Sequence, residues 1–150
     1  METPLVYGAI ALTALLALAL ALPLAGLRTG MPSIKVVTTQ DSARIGYTLI
    51  QDAFGKGAPG TLQVVAPTDQ AAATVTVLSK DPGVAQVVPA MPGTGNHVLI
   101  QVVPSADPSA AEMGTTIDQL RTEVPHGVVI GGASAENHDL ETMLAAKTPW

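Results

Sequence analysis

The chain has 150 residues, 47% of them hydrophobic, 13% charged and 3% aromatic, a length that suits one domain rather than two. Lys and Arg number 7 against 12 Asp and Glu, a formal net charge of -5; this lacks the basic surface that phosphate contacts require and argues against nucleic acid as a partner. There is no cysteine, which excludes disulfide frameworks, thiolate metal sites, cysteine nucleophiles and lipidated cysteines.

The apolar excess is concentrated at the start. Residues 5–27 are interrupted only by Gly8, Thr13, Pro23 and Gly26, and no charge falls between Glu2 and Arg28. As a helix this stretch would be roughly 34 Å long at 1.5 Å per residue, against a hydrocarbon core of about 30 Å, so residues 1–30 read as a transmembrane helix with its exit. A cleaved signal peptide fits less well. Its start should be positively charged, whereas this one is Met1-Glu2-Thr3-Pro4, and its apolar stretch should be shorter. The segment contains no Asp, Glu, Lys, Arg or His, the usual residues of proton relays and ion paths. Pro23 marks its end. Arg28, Lys35 and Arg44 follow the stretch; taken alone, the positive-inside rule puts the remainder in the cytoplasm, and basic residues in a longer upstream chain would reverse that.

Beyond Gly30-Met31-Pro32, Asp41 or Ser42 can cap a helix in which Ile45, Leu49, Ile50, Ala53 and Phe54 are spaced to form one buried face. A glycine loop ends it. A strand is predicted over residues 61–66, then a helix capped by Asp69 with Ala71, Ala72, Val75 and Leu78 on one face. A strand over residues 84–91 leads through the Pro92-Gly93-Thr94-Gly95-Asn96 turn to another over residues 97–103. Asp107-Pro108 reads as a capping acid and first-turn proline for a helix carrying Met113, Ile117, Leu120 and Val124. A short strand at residues 128–130 precedes a last helix, residues 134–147, with Leu140, Met143 and Leu144 on one side. Residues 61–131 thus spell the βαββαβ order of a ferredoxin-like domain, an antiparallel sheet with both helices on one face.

Chemical motifs are sparse. Gly55-Lys56-Gly57-Ala58-Pro59-Gly60 matches the G-x-G-x-x-G string, but it follows a helix and opens a strand, the reverse of a dinucleotide site, so it reads as a turn-forming loop. His97, His126 and His138 lie far apart and read as surface residues; Asp118 and Glu123 read as solvated helix faces. No serine sits in a G-x-S-x-G elbow. No enzymatic activity, metal or cofactor is expected.

Three strings nevertheless occur together: Leu27-Arg28-Thr29-Gly30-Met31-Pro32, Ser42-Ala43-Arg44-Ile45-Gly46-Tyr47 and Ala53-Phe54-Gly55-Lys56-Gly57-Ala58-Pro59-Gly60. They resemble the MmpL branch of the resistance-nodulation-division (RND) exporters, as does Gly131-Gly132-Ala133-Ser134-Ala135-Glu136-Asn137 before a further membrane helix. Val37-Thr38-Thr39-Gln40 departs from the family, where a Leu-Pro pair is expected. The matching motif positions are Arg28, Gly30, Met31, Pro32, Arg44, Tyr47, Phe54, Gly55, Gly57 and Gly60, carried over as structural and not catalytic residues.

The resemblance implies an α+β chain divided into a transmembrane helix and exit (1–30), a linker helix with its Gly-rich loop (31–60), a ferredoxin-like porter domain (61–131) and a helix leading to a further membrane helix (132–150). It implies a place in the cell membrane with the C-terminal domain extracytoplasmic. Membrane lipid, the other membrane helices and the first porter domain of the exporter would be its partners, in a single copy or an oligomer. The family's relay residues lie on helices not present in this sequence. The function expected is one part of an exporter of lipids or other hydrophobic molecules, in a fragmentary chain not competent for transport alone. The alternative is a complete single-pass, membrane-anchored extracytoplasmic binding or accessory domain.

Overall fold

A computed structural model describes residues 3–22 and 33–147. Helix α1 (Thr3–Ala21) is followed, beyond a stretch outside the described residues, by a tight turn at Ile34–Val36 and helix α2 (Ser42–Phe54). Strand β1 (Leu62–Pro67) leads through a turn at Thr68–Gln70 into α3 (Ala71–Leu78). Then come β2 (Val84–Val87), β3 (Met91–Pro92), β4 (His97–Pro104), α4 (Ala111–Glu123), β5 (Val129–Gly131) and α5 (Ala133–Lys147).

The expected transmembrane helix is corrected. Among the described residues, no helix is long and apolar enough to cross a membrane. The α-helix ends at Ala21 and not near residue 27, which leaves 19 residues, about 28 Å at the standard rise and short of a hydrocarbon core of about 30 Å. Leu22 precedes Pro23, and a proline disfavours α-helical backbone in the residue before it. Pro23, Arg28, Gly30, Met31 and Pro32 lie outside the described residues.

The remainder is α+β, with one antiparallel sheet in the order β2-β4-β1-β5 and β3 paired beside β4. The two helical crossovers, α3 and α4, each connect strands that are not neighbours in the sheet, which is the split βαβ arrangement. Alternation does the sorting. Along β1, Leu62, Val64 and Ala66 point inward, and along β4 Val98, Ile100, Val102 and Pro104 do so. Leu78 of α3 and Met113, Ile117 and Leu120 of α4 close over these residues, joined by Ile130 and by Ala135 at the start of α5. Each Val, Leu, Ile or Met among them contributes about 1.5–3 kcal/mol by leaving water.

Several local expectations change. The predicted strand over residues 84–91 divides into β2 and β3 around Pro89, which has no N–H to give to a ladder; Val88 keeps the chain beside β4 by donating to the Gln101 carbonyl at 2.8 Å. In α3 the buried line includes Thr74 and excludes Ala72. Thr74 fits because its hydroxyl donates to the Gln70 carbonyl one turn back, at 2.9 Å. Asp69 lies within the turn before α3, and Gln70 stands at the N-cap without a side-chain bond. In α5, burial is confined to Ser134 and Ala135; Met143 and Leu144 are exposed.

The core predicts a sharp contrast between two substitutions. Ile117→Ala, at a fully buried site, should cost about 2–5 kcal/mol. Val129→Ala, at a position 65% exposed, should stay within about 0.5 kcal/mol. Urea titrations followed by circular dichroism check both.

Candidate functional site

The site is built where the linker meets the domain. Asp41 caps α2, its Oδ1 accepting from the Ala43 N–H at 2.8 Å, and Gly55 closes the helix with φ +97°, a left-handed conformation that glycine adopts without strain. The glycine string then brings backbone against backbone: a Cβ on Gly57 would lie 1.8 Å from the Pro104 carbonyl oxygen at the end of β4. At Gly60 the carbonyl accepts from Ser134 Oγ at 3.3 Å, linking the loop to the start of α5.

Beyond β4, Asp107 gathers three segments. Its Oδ1 accepts from the Tyr47 hydroxyl at 3.1 Å and from the Ser109 N–H at 2.9 Å, and also from the Ser109 hydroxyl. Its Oδ2 accepts from Gln51 Nε2 at 2.8 Å and pairs with Lys35 Nζ at 2.9 Å. Gln51 uses the same amide nitrogen to reach the Lys56 carbonyl at 2.7 Å. Asp107 is therefore not the cap of α4. It closes a turn on Ser109, and α4 begins at Ala111, with Ala110 at its N-cap and no side-chain cap.

The electrostatics follow from this crowd of donors. Burial by itself would raise the Asp107 pKa, but the hydrogen bonds from Ser109, Lys35 and Gln51 outweigh it and hold the carboxyl well below the ordinary 3.8. Tyr47 moves the other way. Burial first, then its bond to Asp107 and that residue's charge, push its hydroxyl up to about 12. A carboxylate fixed in its charged form with its lone pairs occupied does not exchange protons near neutrality; it binds segments together. The Arg44 guanidinium lies 5.9 Å from the Tyr47 ring centroid, within cation–π range.

Fixing Tyr47 and Gln51 against Asp107 decides which way α2 faces, and it inverts the expected orientation. Ile45, Leu49, Ile50 and Phe54 are exposed, Leu49 at 61% and Phe54 at 72%, while Arg44, Tyr47 and Gln51 turn toward the domain.

A second polar cluster joins α4 to α5. Arg121 forks onto both oxygens of Asp139 and reaches the Ile130 carbonyl at 3.2 Å; the bond to Asp139 raises the arginine pKa and lowers that of the acid. His138 Nε2 lies 2.9 Å from Asp118 Oδ1; the acid, 65% exposed, keeps the solvated helix-face position expected from sequence, and the histidine, at 20%, is less exposed than expected. Glu123 accepts from Gln119 at 3.1 Å. Among the described residues there is no group of three or more His, Asp or Glu side chains placed to hold a metal ion.

Of the motif positions, the structure brings Arg44, Tyr47, Gly55, Gly57 and Gly60 together at this junction and leaves Phe54 on the outer surface. Sequence reasoning missed Lys35, Gln51 and Asp107. The available signal was Tyr47 and Gln51, one helical turn apart on the polar side of α2 and needing an acceptor.

Fold and site together define an α+β domain with an amphipathic linker helix held to it by a carboxylate. No family model matches the sequence, and no solved structure matches it. The chain is similar to membrane protein YdfJ of Bacillus subtilis strain 168, with 28% identity over 147 residues covering 90% of this chain and 20% of that protein. It thus spans about a fifth of the length of the curated relative it matches.

The latch gives a pH prediction with a definite sign. Because the folded Asp107 pKa is depressed, its contribution is complete above the unfolded value of 3.8 and is lost as pH falls through that value toward the folded one. Protection of the α2 amides relative to intrinsic exchange should therefore be independent of pH near neutrality and fall once the pH drops below 3.8. Asp107→Asn should lower that protection about 10–100-fold at neutral pH, on the scale of hydrogen bonds to charged groups, and abolish the acid step.

Proposed function

We propose that this chain works as the porter-type, extracytoplasmic unit of a larger MmpL-like RND exporter that moves lipids or other hydrophobic molecules, and that it does not transport by itself. The observation that carries this reading is the junction. Motif positions Arg44, Tyr47, Gly55, Gly57 and Gly60 are collected where the linker helix is fixed to a split-βαβ sheet, in a chain similar over 90% of its length to a membrane protein. That protein is about five times as long as the matched region, which supports membrane helices and a second porter domain as partners in the same assembly. The exposed apolar arc of α2 suits a unit that packs against something larger.

The absence of native cysteine makes the test clean. A cysteine at exposed Thr122, introduced into the protein in its own cells, should react with a membrane-impermeant maleimide while the cells are intact. Labelling that requires lysis would contradict an extracytoplasmic domain. Purified chain in vesicles bearing a proton gradient should leave a fluorescent lipid probe where it is, and export by that chain alone would contradict the need for partners.

A further inference from the structure

Two helices flank the sheet domain in sequence, α2 before it and α5 after it, and both are held at one place, the glycine loop. Gly60 is buried, and a Cβ on it would lie 2.5 Å from Pro108 Cγ and 2.8 Å from Ser134 Oγ. The loop backbone therefore passes between the residue next to Asp107 and the first turn of α5. Three residues earlier, a Cβ on Gly57 would lie 2.8 Å from the Ala106 carbonyl oxygen. The two glycines thus bracket Asp107, one against the residue before it and one against the residue after it.

The α5 side of this contact is polar as well as close. Ser134, 8% exposed, donates its hydroxyl to the Gly60 carbonyl at 3.3 Å. Just before it, Gly132 has φ +101°, which glycine adopts without strain, so the direction in which α5 leaves β5 is set by the backbone. Further along, Asp139 is forked by Arg121 of α4, and the same guanidinium reaches the Ile130 carbonyl at 3.2 Å. Residues 141–147 are exposed. The first half of α5 is thus anchored at two points, and its second half projects beyond them.

We propose that the loop at residues 57–60 is a mechanical joint that couples α5 to α2. Loosening α5 from α4 shifts Ser134, and the shift passes through Gly60 and Pro108 to the Asp107 bonds that hold α2. Close-packed protein transmits strain, and coupling is carried by contiguous packed groups such as these. A load on the exposed half of α5 is therefore felt at α2, at the other end of the domain's sequence. The inference concerns the domain itself and holds whether or not the chain serves an exporter.

Amide hydrogen exchange of the full chain at neutral pH reads both helices at once. Asp139→Asn weakens a bond to α4 and none to α2, yet it should lower the protection of α2 amides about fivefold along with that of α5. Ser134→Ala cuts the link with the loss of one hydroxyl; in that background Asp139→Asn should still loosen α5 and leave α2 unchanged within about twofold. Gly60→Ala forces a methyl group against Pro108 and Ser134 and should loosen α2 and α5 together; if that chain does not fold, the Ser134→Ala pair decides. Val98→Ala, in the core near the start of β4 and away from the joint, is the reference for a general loss of stability and should leave the local opening of α2 unaltered. Unchanged α2 protection in Asp139→Asn would overturn the proposal, as would the same α2 response with and without the Ser134 hydroxyl. So would a loss in Val98→Ala that matches Asp139→Asn at equal overall stability, because α2 would then report the whole fold and not the joint. None of these readouts involves a vesicle, a cell or a partner, so failure here is separable from failure of the exporter reading.

Discussion

The carboxylate of Asp107 is the constraint on which the arrangement of this chain depends. It lies three residues beyond the end of β4, and it receives donors from the turn before α2, from α2 itself and from its own loop. Taking a carboxylate partly out of water is unfavourable, and it is tolerated only when charge-assisted hydrogen bonds replace the lost hydration. Here they do, which is why burial fails to raise the Asp107 pKa and the folded carboxyl is more acidic than an ordinary one. The same bonds set the rotation of α2 and thereby place Ile45 and Leu49 on the outside.

That carboxylate is positioned by the sheet. β4 is flanked by β1 and β2 and buries alternate residues along its length, so its end at Pro104 is held by the core and not by the loop that follows. The absence of a side chain at Gly57 lets the linker's backbone approach that end, where even a methyl group would overlap the Pro104 carbonyl. The glycine string, read from sequence as turn-forming, is thus also a close-approach motif. The rigid part is the strand; the segments that depend on it are α2 and the turn around Lys35.

Much of the sheet was legible because alternation and β-branched runs carry their own geometry: β1 and β4, and the Met113, Ile117 and Leu120 face of α4, follow from period alone. What period cannot supply is the direction of a neighbour. The α2 pattern showed an apolar arc, and an apolar arc is ordinarily buried, yet here Tyr47 and Gln51 bind the domain across 60 and 56 residues of sequence. Asp107-Pro108 has the composition of a helix start, but the bonds to Ser109 close a turn first. The N-terminal segment misled differently: composition measured its apolar length, and the helix itself ends at Ala21. Pairings such as His138 with Asp118 join residues 20 apart on two helices and have no local signature.

The central claim is that Asp107 and α2 act as a unit, and a double-mutant cycle between Gln51→Ala and Asp107→Ala tests it most directly, with the free energy of opening α2 taken from amide hydrogen exchange. Coupling through one carboxylate predicts an interaction energy of about 0.5–3 kcal/mol, with Gln51→Ala costing little once Asp107 is gone. Strictly additive effects, or α2 amides no less protected in Asp107→Ala than in the unmodified chain, would contradict the account.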